Sequence, residues 1–194
     1  MKTKQFTLAL LAVALTLSVA ATKIPKMNIV ALDDSKTLIA AETDPGVSSE
    51  ILIEDQRGRM VYYKLSKASP EYKSVFDFSK LEDGTYTVKI KSGKVSATRV
   101  MEVNDGKVVV SAAIKTRIDP YFSCDDRILK VSYLNFDKND ISLLIYKGSQ
   151  LVFQSGLGTE FNVQKGFNVS NLIRGDYHVV LAGTGEDFSY RLTR

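Results

Sequence analysis

Apolar and polar residues alternate in short runs along most of this chain. The run from Thr85 to Lys91 is typical, since Tyr86, Val88 and Ile90 alternate with threonine and lysine. Such alternation predicts a β-strand with one buried face and one exposed face. Similar runs rich in Val, Ile, Tyr and Phe recur between Gly, Asp, Asn and Ser turns, and helical periodicity is missing after the N-terminal segment. The pattern therefore predicts an all-β protein.

The first half of the chain contains seven predicted strands and a hairpin. The predicted strands are residues 28–32, 37–42, 50–54, 60–64, 74–78, 85–91 and 97–103. The turn Asn104-Asp105-Gly106 predicts that residues 107–111 pair back on the preceding strand, because Gly adopts a positive φ at little cost. Residues 112–117 are then expected to form a short extended connection to the second half.

The second half follows the same order of strands. The predicted strands are residues 120–122, 129–134, 142–146, 150–154, 161–169, 176–181 and 188–192. Seven short strands in each half predict a β-sandwich in each. The predicted domains are residues 27–113 and residues 118–194.

The two halves are copies of one module. The segment that begins at Leu81 recurs 91 residues later at Leu172 without a gap. Three matched pairs mark the clearest part of the repeat: Leu81 and Leu172, Gly84 and Gly175, and Tyr86 and Tyr177. The other matched positions are mostly apolar with strand spacing, so the copies share what a fold requires rather than a polar site. We therefore predict two tandem seven-stranded sandwiches of the immunoglobulin-like or fibronectin-like kind.

The shared Leu-x-x-Gly-x-Tyr motif has a structural explanation. The Leu is expected to close the core, the Gly to permit a tight reversal, and the Tyr to open the next strand with its ring inward. In immunoglobulin-like sandwiches a Tyr at this corner bonds the backbone a few residues upstream. The cysteine position two residues later is Val88 or Val179, and the chain has no Trp, so disulfide-free sandwiches are the expected relatives.

The first copy of the module also resembles a known family. Residues 76–90, preceded by residues 53–61, resemble the small exported β-sandwich modules of Bacteroidetes, which include the C-terminal sorting domains of type IX secretion. The second copy shows the resemblance more loosely, through residues 167–181. The resemblance implies an exported sandwich, and its motifs are more specific for fold than for function.

The N-terminal residues 1–21 are expected to be a secretory signal peptide. Lys2 and Lys4 precede an apolar run from Leu8 to Leu15, and small residues follow up to Ala21. The run is shorter than the about 20 apolar residues of a membrane-spanning helix, so a retained anchor is the less favoured alternative. The mature chain is therefore expected to be exported, without a membrane span, to the periplasm, the cell surface or the medium.

Composition excludes several classes of partner and site. Of 26 basic residues, two lie in the expected signal peptide, which leaves 24 against 22 acidic residues. These charges are scattered, whereas nucleic-acid binders cluster them, so no nucleic-acid partner is expected. The lone Cys124 excludes an internal disulfide, and one His with one Cys cannot form a structural zinc site. Cys124 is expected to be half-buried, with an intermolecular disulfide as the alternative, and no cofactor is predicted.

Acidic and glycine-rich loops offer weaker candidates. Calcium is conceivable at residues 33–34, 125–126 and 137–140, but the Gly and Glu of a calcium loop are missing, and turn-forming Asp and Asn explain these residues more simply. No metal site is predicted. Gly156-Leu157-Gly158 and Gly183-Thr184-Gly185 are interpreted as hairpin turns rather than phosphate loops, because neither opens a helix.

Exposed aromatic residues are the best candidates for a binding surface. Tyr62 and Tyr63 adjoin on one predicted strand, so one of them must face outward, and Tyr72 and Tyr121 are further candidates. The hypothesis is a secreted, non-catalytic protein that acts as an adhesion, scaffold or interaction module toward a protein or glycan at the cell surface. The alternative is a type IX sorting or surface-anchoring element. A small hydrolase using paired carboxylates is a third possibility, and the oligomeric state is left open.

Overall fold

The computed structural model describes Leu10–Leu11 and residues 23–32, 35–67, 69–185 and 187–194. Apart from Leu10–Leu11, the expected signal peptide lies outside the described residues, and so does the acidic pair at residues 33–34. The chain divides into two compact units, and the division falls between Ile118 and Asp119.

Every regular element among the described residues is a β-strand, which confirms the all-β prediction. The sixteen strands are β1 (Leu10–Leu11), β2 (Lys26–Ala31), β3 (Lys36–Glu42), β4 (Ser49–Asp55), β5 (Met60–Ser66), β6 (Glu71–Asp77), β7 (Gly84–Ser92), β8 (Val95–Asn104), β9 (Lys107–Ile118), β10 (Tyr121–Asp125), β11 (Ile128–Leu134), β12 (Ile141–Lys147), β13 (Gln150–Gly158), β14 (Asn162–Asn168), β15 (Asp176–Ala182) and β16 (Phe188–Thr193). No helix in the described part of the chain is long and apolar enough to cross a membrane.

The first unit contains two antiparallel sheets, one of order β2-β3-β6 and one of order β5-β4-β7-β8-β9. Side chains from both sheets form a single buried cluster, to which Ile39 and Tyr72 contribute from the smaller sheet and Ile51, Val88 and Met101 from the larger. The alternation along each strand places these residues on the inner face and the polar residues outside. The first unit is therefore a β-sandwich.

The second unit repeats this arrangement. Its sheets have the orders β1-β14-β11-β10 and β13-β12-β15-β16. Leu129 and Phe167 from one sheet join Leu143, Val179 and Leu181 from the other in a second buried cluster. The order β10-β11-β14 matches β2-β3-β6 of the first unit, and β1 adds to the outer edge of β14. The internal repeat of the sequence is thus also a repeat of the fold.

The largest departure from the predicted strands is β9. Its start follows the predicted turn, in which Asp105 and Gly106 have φ of 48° and 74°, as a two-residue hairpin of type I′ requires. The predicted connection at residues 112–117, however, is strand. A shift in register near Arg99 accommodates extra residues of β9, and pairing then resumes as far as Ile118 opposite Val95. The linker between β9 and β10 shrinks to Asp119-Pro120.

The two glycine-rich segments have different places in the second unit. Gly183-Thr184-Gly185 lies in the turn between β15 and β16, as interpreted from the sequence. The interpretation of Gly156-Leu157-Gly158 as a turn is wrong, because these residues continue β13 and Leu157 is buried. The side chain of Leu157 joins the core, and this burial favours continued pairing over a turn.

Candidate interaction surface

The two matched tyrosines of the repeat are structural. Tyr86 donates a hydrogen bond from its hydroxyl to the carbonyl oxygen of Glu82 at 2.7 Å, and Tyr177 donates to the carbonyl oxygen of Ile173 at the same distance. Both rings are buried in the cores of their units. This is the tyrosine-corner geometry of immunoglobulin-like sandwiches. Because each hydroxyl is committed to a backbone acceptor, neither corner offers a binding group to a ligand.

The remaining residues of the motif complete the same corners. Gly84 and Gly175 have φ of 150° and 142°, a region that side chains with a Cβ atom rarely adopt. Leu81 and Leu172 are half-buried and pack against the cores of the first and second units. The six shared residues therefore build each sandwich, and a functional surface has to lie elsewhere.

The four candidate surface tyrosines do not form one site. Tyr63 and Tyr121 are exposed, at 48% and 41% of their surface, but they belong to different units. Tyr62 is half-buried, and Tyr72 is buried on the inner face of β6. Tyr72 therefore does not belong to an exposed aromatic surface.

Tyr62 and Tyr72 instead close one side of the first sandwich. Their hydroxyl oxygens lie 3.2 Å apart, and the ring of Tyr62 meets Phe76 edge-on with centroids 4.8 Å apart. Burial raises the pKa of Tyr72, and the hydrogen bond with Tyr62 raises it further. Lys64 places its Nζ atom 5.4 Å from the centre of the Tyr72 ring. This aromatic group joins β5 of one sheet to β6 of the other.

Strand β5 carries the most unusual surface of the first unit. It is an edge strand of the five-stranded sheet, and its large apolar side chains are exposed rather than buried. We call these residues the β5 strip: Met60, Val61, Tyr63 and Leu65. An exposed, apolar edge strand is a template for pairing with another chain, so natural proteins normally interrupt or charge it.

The β5 strip borders a polar region of the same sheet. Tyr63 lies opposite Leu52 of β4, and Leu52 lies opposite Lys89 of β7. Leu65 lies opposite Glu50, and Glu50 lies opposite Lys91 of β7. Residues directly opposite each other in antiparallel strands share a face. The strip is therefore apolar at the free edge and charged away from it, like the centre and rim of a protein interface.

The corresponding strand of the second unit, β13, is different. Its pairing with β12 shifts register twice, near Ile141 and near Ile145, whereas the pairing of β4 with β5 shifts once. Gly156 and Gly158 also leave two positions of β13 without a side chain. Leu151 is the only large apolar residue of β13 that is strongly exposed. The repeat has conserved the core of the two units but not this edge.

The described residues include a trough on the first unit and a half-buried cysteine, but no cluster that could hold a metal ion. A trough of 290 Å³ lies over the outer face of the β2-β3-β6 sheet, where Lys26 pairs with Glu42 at 3.1 Å and Lys73 with Glu71 at 3.2 Å. The described part of the chain has no group of three or more His, Cys, Asp and Glu placed to hold a metal ion. Cys124 is half-buried, and burial raises the pKa of its thiol.

The acidic segment at residues 137–140 is organised as a turn. The side chain of Asn135 holds this turn through two hydrogen bonds to the backbone of Asn139. Its Nδ2 atom donates to the Asn139 carbonyl oxygen at 2.8 Å, and its Oδ1 atom accepts from the Asn139 N–H at 3.1 Å. Asp126 and Arg127 form the tight turn between β10 and β11, with φ of 48° and 65°. Hydrogen bonding and backbone geometry thus account for the positions of these residues.

Comparison with known proteins relates the first unit to one family. Residues 26–104 match the family described as the secretion system C-terminal sorting domain. The match spans β2 to β8 and includes the β5 strip. It confirms the resemblance seen in the sequence, and it points to an exported protein with a surface or extracellular location. No curated protein matches the chain.

Two solved structures resemble this chain weakly. The BSP domain of a biofilm-associated protein is 14% identical with a TM-score of 0.28, and the match covers 88% of this chain and 29% of that one. The FN1–FN3 domains of chicken CNTN1 are 8% identical with a TM-score of 0.27, covering 89% of this chain and 68% of that one. Because these scores are low, the fold rests on the sheets themselves.

Proposed function

We propose that this protein is an exported, non-catalytic interaction module that binds a protein partner at the cell surface through the β5 strip. Residues 1–21 act as its signal peptide, and residues 23–118 and 119–194 form its two domains. The observation that carries the proposal is the exposure of four large apolar side chains along one edge strand, within the unit that matches the sorting-domain family.

A protein suits this edge better than a glycan does. The outer side of an edge strand presents a row of backbone N–H and C=O groups, and another strand satisfies them in register while its side chains bury alternate residues. The β5 strip adds apolar side chains to that row. Glycan sites, in contrast, combine an aromatic ring with several convergent polar side chains. The residue directly across the sheet from Tyr63 is the apolar Leu52.

The absence of a catalytic role is part of the same proposal. Its support is that the shared tyrosine hydroxyls are bonded to the backbone and that the charged groups of the trough pair with one another. The exposed groups of the β5 strip are apolar or phenolic, which suits recognition rather than acid–base chemistry.

Binding to cells tests the proposal. Protein purified after export is labelled and titrated onto the cells that produce it, and the same titration is made with Tyr63→Ser. Saturable binding that falls about 10-fold in the variant supports the proposal, since loss of a buried aromatic contact costs more than 1 kcal/mol. Tyr121→Ser, an exposed tyrosine of the other unit, is the matched control. Equal binding by wild type and Tyr63→Ser contradicts the role of the β5 strip.

Treatment of the cells distinguishes the partner. Binding that is lost after surface proteolysis and kept after periodate oxidation of sugars supports a protein. The opposite pattern replaces the protein partner with a glycan.

A second candidate function is sorting or surface anchoring by the type IX system. The match of residues 26–104 to the sorting-domain family favours it. Two reporters test it in a host with that system, one fused ahead of residues 23–118 and the other ahead of residues 119–194. Surface display of the first reporter alone supports sorting by the matched unit, and retention of both in the periplasm removes this candidate.

A further inference from the structure

We infer that the protein partner of the β5 strip is a second copy of this chain, bound edge to edge so that the two β5 strands run antiparallel with Tyr63 opposite Tyr63. The inference rests on the proposed function, because it names the partner of the same surface. It predicts that two five-stranded sheets join into one continuous sheet across a two-fold axis.

The free edge of β5 supplies the backbone part of this contact. Strand β5 pairs with β4 on one side, and no strand among the described residues pairs with its other side. An antiparallel copy of the same strand satisfies the outward N–H and C=O groups of both chains with one geometry. A two-fold interface uses the same patch on each subunit, which makes a self-complementary strand sufficient.

The sequence of β5 selects the register. With Tyr63 on the axis, Tyr62 of one copy lies opposite Lys64 of the other on the inner face. That contact between the copies is of the same cation–aromatic kind as the approach that Lys64 makes to Tyr72 within its own copy. The register with Lys64 on the axis, in which every partner changes by two residues, sets two ammonium groups opposite each other, and like charges at such positions destabilise a sheet.

The outer face favours the same register. Tyr63 meets its own copy, and Leu65 of each chain comes next to Val61 of the other, the residue at which β5 bulges from its pairing with β4. Aromatic and aliphatic cross-strand pairs of this kind stabilise antiparallel sheets. The strip residues that are exposed in one copy are thereby covered in the pair.

The alternative edges of the two sandwiches suit self-pairing less well. Strand β13 has two shifts of register and two glycines, which twist an edge and remove its side-chain contacts. Strand β9, at the other edge of the five-stranded sheet, also exposes Val109 and Ile114, but Lys107, Lys115 and Arg117 lie along its length. Charged residues on an edge oppose pairing with another strand.

The contact involves one seven-residue strand from each copy, so it belongs to the small, weak class of interfaces. Dimerisation is therefore expected to depend on concentration. Sedimentation of the exported protein from roughly 10 µM to 1 mM spans the range in which such contacts form. A shift from monomer to dimer in this range is the expected result.

Charge substitution tests the position of the contact. Tyr63→Lys sets two ammonium groups opposite each other at the axis, and it should weaken the dimer at least about 10-fold. Because Tyr63 is half exposed, the fold should persist, and circular dichroism checks that it does. Leu151→Lys on β13 is the matched control and should leave the dimer unchanged. A monomeric wild type, or a dimer that Tyr63→Lys leaves intact, overturns the inference.

Disulfide trapping tests the register. In a Cys124→Ser background, Tyr63→Cys places two thiols directly opposite each other, within the Cα separation that a disulfide accepts. It should form covalent dimers rapidly under mild oxidation. Lys64→Cys, whose two copies lie diagonally across the axis, should not. Efficient trapping at position 64 with none at position 63 overturns the stated register.

The cell-binding assay separates failure of this inference from failure of the proposed function. If the partner is a second copy, labelled protein binds cells that display this chain and does not bind cells from which its gene is deleted. Binding that depends on Tyr63 but is equal on both kinds of cell overturns self-pairing and leaves the proposed interaction surface standing. Binding that does not depend on Tyr63 on either kind of cell overturns both.

Discussion

Tyr86 reaches back four residues along the chain and donates its hydroxyl hydrogen to the carbonyl oxygen of Glu82, at 2.7 Å. Tyr177 does the same to Ile173 in the second unit. The two bonds fix the loop before β7 and the loop before β15 against the core of each sandwich. Burial raises the pKa of Tyr86, with smaller contributions from the nearby carboxylates, so the hydroxyl stays protonated and able to donate.

Removal of either corner hydroxyl should destabilise the unit that contains it. Tyr86→Phe and Tyr177→Phe each leave a carbonyl oxygen without its donor, and each should lower the free energy of unfolding by about 1 kcal/mol. Urea unfolding measures this, with the two units treated as separate transitions because a two-domain chain need not unfold in one step. Tyr63→Phe, on the exposed strip, is the control and should change little. Unchanged stability in both corner variants would contradict a structural role for the motif.

The positions of the strands could be predicted from the sequence because burial in a sandwich follows local alternation. Tyr86, Val88 and Ile90 are buried as that alternation requires. The end of β9 could not be predicted in this way. Residues 112–117 have mixed, partly weak strand formers, and they are strand because β8 lies beside them. Strand propensity depends on such neighbours more than on the residues themselves.

The candidate surface was only partly visible in the sequence for a similar reason. The run Met60-Val61-Tyr62-Tyr63 departs from alternation, and this departure is the signal that apolar residues must face both sides of β5. That β5 lies at an edge depends on the order of strands in the sheet, which no local pattern encodes. For Tyr72 a local signal was available, since Glu71 and Lys73 on either side of it indicate that its ring faces inward.

Gly183 should tolerate no larger residue. Its φ is 89°, and a Cβ atom there would lie 2.5 Å from the carbonyl oxygen of Asp140. Gly183→Ala therefore combines backbone strain with a clash against backbone, and it should cost about 2 kcal/mol or more of stability. Gly156→Ala is the matched control, because a Cβ atom at Gly156 meets nothing within 4 Å. Thermal unfolding should show a large loss for the first variant and little change for the second. Equal losses would contradict the explanation.

Arg127 occupies a backbone conformation that a glycine would adopt more easily. Its φ of 65° follows the φ of 48° at Asp126, and the two residues form the turn between β10 and β11. Arg127→Gly should stabilise the second unit by about 1 kcal/mol, because the left-handed conformation costs that much for a residue with a Cβ atom. Arg57→Gly is the control, because Arg57 is also exposed but does not have a positive φ, and this variant should not gain stability. Chemical unfolding of both variants compares them, and a loss of stability in Arg127→Gly would contradict the prediction.

Asp55 should give the first unit part of its sensitivity to acid. Burial alone would raise the pKa of Asp55, but hydrogen bonds from the backbone and side chain of Arg59 and from the backbone of Arg57 outweigh it and lower the pKa. A carboxyl whose pKa is lower in the folded state stabilises the fold above its ordinary pKa of about 3.9, and this contribution is lost as the pH falls through the folded value.

The corresponding variant is Asp55→Asn, compared with wild type by thermal unfolding between about pH 6 and pH 2. The variant should melt at a lower temperature than wild type at the upper end of this range, because the amide cannot provide the same charged acceptor for Arg59. The two melting temperatures should approach each other as the pH falls, since the wild-type carboxyl becomes protonated. Asp187→Asn, at an exposed aspartate of the second unit, should follow the wild-type curve. Parallel curves for wild type and Asp55→Asn across the whole range would show that the ionised carboxyl does not stabilise this turn.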